Sequence, residues 1–94
     1  MQERDIRISN PGGVHARPSA QIAHLARQFR CSVALHARDR HANARNIMAI
    51  MLLAASMGST VRLETNGVDE QEAMAALTSL IDEGFGIRNE PLNR

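Results

Sequence analysis

Apolar residues fall at two different spacings along the chain, and the spacing changes at predictable places. In Arg4–Ser9, Ile6 and Ile8 alternate with charged and polar neighbours, which predicts a strand with one buried face. Ser32–His36 and Thr60–Thr65 repeat the alternation, the latter through Val61 and Leu63. A hairpin is expected between the second strand and a short segment over His41–Ala44, joined by the polar turn Arg38–Arg40. Asn10-Pro11-Gly12-Gly13 breaks the first strand, and Asn66-Gly67 ends the last.

Between these strands the period lengthens. From Ala16 onward, Ile22, Ala26 and Phe29 fall at i, i+4 and i+7 with Leu25 beside them, while Gln21, Arg27 and Gln28 take the other faces of a helix. Pro18 is compatible with this helix because in the first turn no intrahelical N–H bond is lost. A second helix is predicted over Ile47–Ala55, capped by Asn46 and closed by Gly58. For the third, Asp69 is expected to cap, Glu72 to complete capping-box spacing, and Val68 to staple against Ala73. Its buried stripe is Ala73, Met74, Leu77, Leu80 and Ile81, and Gly84 ends it. The tail from Gly86 to Arg94 carries Pro91 and no pattern, so it is expected to fray. The order β-α-β-β-α-β-α predicts an α+β fold, with helices covering one face of a mainly antiparallel sheet.

Composition narrows the function. The 94 residues fit a single domain, 1–94, with its core over about residues 4–85. A net charge of +1 is too weak to suggest nucleic-acid binding, and only Phe29 and Phe85 could stack on bases. Cys31 is the sole cysteine, which removes intrachain disulfides and cysteine-based zinc clusters. The apolar run Ile47–Ala55 is far short of the ~20 residues that span a bilayer. The start Met1-Gln-Glu-Arg-Asp5 lacks the layout of a signal peptide. A cytoplasmic protein with no membrane contact is expected.

The densest chemical signal is Gly13-Val-His-Ala-Arg-Pro-Ser-Ala20. It sets His15 where a glycine loop meets a helix start, and the free N–H groups of such a start attract anions. Arg17 adds a fixed charge and a fork of donors suited to phosphate oxygens. A unit charge pair at ~4 Å is worth about 4 kcal/mol at an effective dielectric near 20. The helix terminus adds about 0.3–1 kcal/mol when exposed. Arg17 is therefore the larger electrostatic contribution, and the amides supply direction. A histidine placed beside such a cradle could either bind a phosphate or accept the phosphoryl group as a nucleophile.

This octapeptide resembles, at every position, the active-site signature of HPr, the histidine-containing phosphocarrier family of the bacterial phosphotransferase system. The likeness extends over about residues 4–85 and includes the element order. It implies an open-faced β-sandwich, four antiparallel strands with three helices on one face. It also implies that His15 accepts a phosphoryl group on Nδ1 from enzyme I and passes it to an enzyme IIA protein. Ala16, Arg17 and Pro18 would hold the phosphoryl oxygens. No cofactor or metal is called for, since magnesium and phosphoenolpyruvate belong to the upstream enzyme. The protein would act as a stoichiometric carrier rather than an enzyme, and as a monomer. Where many relatives start the second helix with a serine that a regulatory kinase modifies, this chain has Asn46, an amide that cannot form a phosphoester. Asn46 and the ending Glu83-Gly84-Phe85 lean toward the family's nitrogen-related branch, with sugar uptake the competing branch.

Plainer readings stand beside these. A histidine at a helix start is ordinarily a surface residue or a cap, and an arginine there is ordinarily a solvated charge. His24, His36 and His41 read as surface or strand residues, because the His36–His41 spacing matches no metal pattern. Cys31 reads as a small apolar core residue. The second helix is apolar on several faces, and an outer helix cannot bury its whole circumference. Ile47, Met48 and Met51 are therefore expected to stay partly exposed near His15 and, with Ala20, to dock partners. The rival from another class is a regulatory binding module that keeps the fold and acts only through such contacts.

Overall fold

The computed structural model describes residues 1–10, 12–53 and 56–86. Four strands, β1 (Gln2–Arg7), β2 (Ser32–Ala37), β3 (Arg40–Asn43) and β4 (Thr60–Asn66), form one sheet in the order β1-β4-β2-β3. Every pairing is antiparallel. Central β4 matches Ile6 to Val61 on one side and Leu35 to Leu63 on the other, so the apolar positions of three strands stand on one face. The helices α1 (Ala16–Ala26), α2 (Ile47–Leu52) and α3 (Glu70–Asp82) cover that face, followed by a 3-10 turn over Gly84–Gly86.

The core is the meeting of these layers. Ile6, Val33, Leu35, Val61 and Leu63 from the sheet pack with Ile22, Ala23 and Ala26 of α1, Ile50 of α2 and Ala73, Leu77 and Ile81 of α3. Fully burying a side chain such as Leu63 stabilises the fold by roughly 1.5–3 kcal/mol. Cys31 is buried here too, and burial pushes its thiol above the ordinary range. Among the described residues no helix covers the other face of the sheet. It carries cross-strand polar pairs, with the guanidinium of Arg62 donating to Asp5 at 3.0 Å and the His36 ring 2.9 Å from Glu64.

Several boundaries differ from the periodicity. β1 starts and ends two residues early, although Ile8 stays buried and its amide donates to Ser59 O at 2.8 Å. β3 lies one residue early, at Arg40–Asn43. α2 is six residues long, ending at Leu52 rather than Ala55. An uninterrupted apolar run has no internal stop signal. At its end the Arg40 guanidinium donates to the Leu52 carbonyl at 3.0 Å, giving one of the last-turn carbonyls a partner. Ala54, Ala55 and the tail over 87–94 lie outside the described residues.

The start of α3 also departs from expectation. Asp69 sits at the cap position, but its side chain makes no cap bond. Its two oxygens accept from the amides of Arg30 and Cys31, each at 2.8 Å. The Arg30 amide bond above all holds this carboxyl below its usual range. Two amides at the entry to β2 thus take the cap's place, because the tertiary fold brings them within reach. Val68 is 85% exposed, so the staple to Ala73 does not form. The stripe itself holds, with Ala73, Met74, Leu77 and Ile81 buried and Leu80 partly so.

Candidate functional site

The loop between β1 and α1 is pinned at both ends by apolar pegs, Ile8 and Val14, both buried. Between them Asn10, 2% exposed, donates through Nδ2 to Gly13 O at 2.9 Å, while the Gly13 amide donates to Asn10 O at 3.2 Å. Gly12 and Gly13 both take left-handed backbone, φ +81° and +67°, the conformation that glycine adopts without steric cost.

His15 is the N-cap residue of α1, in extended backbone with φ −108° and ψ −151°. Its carbonyl accepts from the Ser19 amide at 2.9 Å, which closes the first turn. Its ring is exposed and rests on the loop: a Cβ added to Gly12 would lie 2.8 Å from Nε2 and 3.1 Å from Cδ2. A side chain at Gly12 would displace the ring from that seat and would itself be strained at φ +81°. The Nδ1 atom is not among the ring atoms nearest to Gly12, so the Nε2–Cδ2 edge is the one turned onto the loop.

The His15 side chain makes no cap bond to α1, and no acidic residue stands in its first turn. Among the described residues no acceptor takes the amides of Ala16 and Arg17. Pro18 has no N–H to offer and is buried, so its part is to fix the first turn's backbone. Arg17 is exposed, with neither a hydrogen bond nor an ion pair to any described residue. The junction therefore offers two directed donors, an exposed guanidinium and an imidazole at one helix tip. That arrangement suits an anion of phosphate type.

The expected docking residues are placed as follows. Ala20 is exposed on α1; Met48 is 64% exposed on α2; Ile47 and Met51 are half-buried. Leu52 at 65% and Met57 at 58% are further exposed apolar side chains that the sequence reading did not single out. Asn46 caps α2, its Oδ1 accepting from the Ala49 amide at 3.1 Å. His36 and His41 stand on the uncovered sheet face with ring centroids 5.9 Å apart. Among the described residues no group of three His, Cys, Asp or Glu could hold a metal ion, and no helix is long and apolar enough to cross a membrane.

Sequence reasoning missed Asn10, which it took only as part of a turn. Nothing in the local pattern marked it, because Asn10 lies past the end of β1, where alternation no longer assigns a face.

A small α+β sandwich presenting an imidazole at an uncapped helix start defines the phosphocarrier class of fold and site. The family model described as PTS HPr component phosphorylation site matches residues 2–83. Phosphocarrier protein HPr of Cupriavidus necator is 50% identical over 86 residues, covering 92% of this chain and 97% of that protein. Phosphocarrier protein HPr of Neisseria meningitidis is 44% identical over 86 residues, with the same shares of 92% and 97%. Among solved structures, HPr-C-His from Thermoanaerobacter tengcongensis superposes with a TM-score of 0.88 at 40% identity, covering 98% of this chain and 100% of that one. This chain belongs to the HPr phosphocarrier family of the phosphotransferase system. The reading as a binding module alone is not favoured by these relatives, which carry the carrier's name.

Proposed function

We propose that His15 carries the phosphoryl group. The Nδ1 lone pair attacks phosphorus on a phosphohistidine of enzyme I. As the new N–P bond forms, the donor's N–P bond breaks, and its electron pair returns to the donor imidazole. The His15 ring proton stays on Nε2 throughout, and nothing is oxidised or reduced. An enzyme IIA histidine then repeats the step in the outward direction. The amides of Ala16 and Arg17 and the Arg17 guanidinium steady the PO3 unit in flight, so transfer is chiefly positioning and charge stabilisation.

The observation carrying this reading is the pairing of an exposed ring, seated by its Nε2 edge on Gly12, with an uncapped helix start. Ala20, Ile47, Met48 and Met51 form the docking surface for enzyme I and enzyme IIA, methionine adapting to partners of different shape. The protein works in the cytoplasm as a single-domain monomer, consumed and regenerated stoichiometrically. It binds neither nucleic acid nor membrane and needs no cofactor of its own. The test is incubation with enzyme I, magnesium and phosphoenolpyruvate, followed by location of acid-labile phosphate by mass spectrometry. The label is expected on His15 and absent from His15→Ala. Label on another residue, or none, overturns the assignment.

A further inference from the structure

We infer that Asn10 is a positioning residue for phosphoryl transfer, acting through the loop backbone on which the His15 ring sits. This rests on His15 being the acceptor. An amide side chain at 2% exposure is an unusual choice for a place that an apolar residue could fill. What it does there is specific: Nδ2 donates at 2.9 Å to the carbonyl of Gly13, two residues before His15. The main chain answers with the Gly13 amide on Asn10 O at 3.2 Å, closing the loop into a ring of bonds.

Two consecutive glycines otherwise have many conformations open to them. The Asn10 bond selects the one with φ +81° and +67°, and that choice sets the Gly12 Cα beneath the imidazole. The far wall of the Asn10 site is the 3-10 turn. A Cβ on Gly84 would come within 3.6 Å of the Asn10 Cβ, and Gly84 is itself left-handed at φ +67°. Asn10 touches no reacting atom. It links the 3-10 turn over Gly84–Gly86 to the seat of the ring, so its loss should change the reaction more than the fold.

The experiment compares the parent protein with Asn10→Ala and Asn10→Asp, the second keeping the shape but losing the Nδ2 donor. Single-turnover transfer from phosphorylated enzyme I should slow by about 10- to 100-fold in both, as misplacement of a reacting group does. KM for enzyme I should hold within about twofold, because the docking surface is untouched. The NMR cross-peak between Gly12 Hα and the His15 ring should fade in both variants. Gly12→Ala, which pushes on the ring directly, should slow transfer similarly. The double variant Asn10→Ala/Gly12→Ala should be no slower than its slower parent, since both act through one seat. If Asn10→Ala does not fold, Asn10→Asp and the double variant Asn10→Asp/Gly12→Ala carry the test. Parental rates in the folded variants, a cross-peak that persists, or losses that multiply in the double variant each overturn the proposal while leaving His15 as acceptor. Absence of label on His15 in the parent overturns both.

Discussion

The starts of α1 and α2 face the same physical problem and are left in opposite states. At α2, Asn46 turns its Oδ1 onto the Ala49 amide at 3.1 Å, a bond typically worth about 1 kcal/mol. At α1, the cap position holds His15, no side chain accepts, and the amides of Ala16 and Arg17 stay open among the described residues. A short apolar helix needs its cap for stability. The longer α1 is held by Ile22, Ala23 and Ala26 in the core, so its tip can go without one. The difference teaches that a missing cap on a well-packed helix whose first turn, unlike that of α3, carries no acidic residue is a place to look for an anion.

The most severe way to break this comparison is His15→Asp, which puts a carboxylate where α1 lacks an acceptor. Phosphoryl labelling should vanish, while urea unfolding should show a gain of about 1 kcal/mol as the open amides are capped. A variant no more stable than the parent would mean that the α1 start is not open. Next comes Arg17→Gln, which removes the charge and leaves the helix intact. Rapid-quench transfer should slow on the order of 100-fold, and stability should stay within about 0.5 kcal/mol because Arg17 is exposed and makes no hydrogen bond or ion pair to a described residue. An unchanged rate would leave the backbone donors alone responsible for the anion.

A smaller effect sharpens the contrast from the other side. Asn46→Ala should cost about 1 kcal/mol in urea unfolding, whereas His15→Ala should cost no capping energy. Equal losses at the two positions would erase the distinction. The smallest effect concerns the third start. The Asp69 carboxyl, held low first by the Arg30 amide, has a folded pKa below its unfolded one. Its contribution is therefore fully present above the unfolded value and is lost as pH falls through the folded value. Thermal melts between neutral pH and pH 3 should fall less steeply for Asp69→Asn than for the parent, and parallel curves would remove Asp69 from the acid response.

The sheet, the helix order and the junction at His15 were legible because each is written in neighbouring residues. Alternation of Ile6 with Ile8, or of Val61 with Leu63, puts a face into the core whatever else surrounds it. The octapeptide Gly13–Ala20 places loop, ring and helix start by covalent succession alone. Tertiary structure decided where side chains find partners across the fold. The Asp69 carboxylate reached the amides of Arg30 and Cys31 instead of its own helix. The Arg40 guanidinium reached the Leu52 carbonyl at the end of α2, twelve residues on. Spacing along a chain fixes which way a side chain points, but an unsatisfied donor or acceptor many residues away becomes a partner only when the layers close over it.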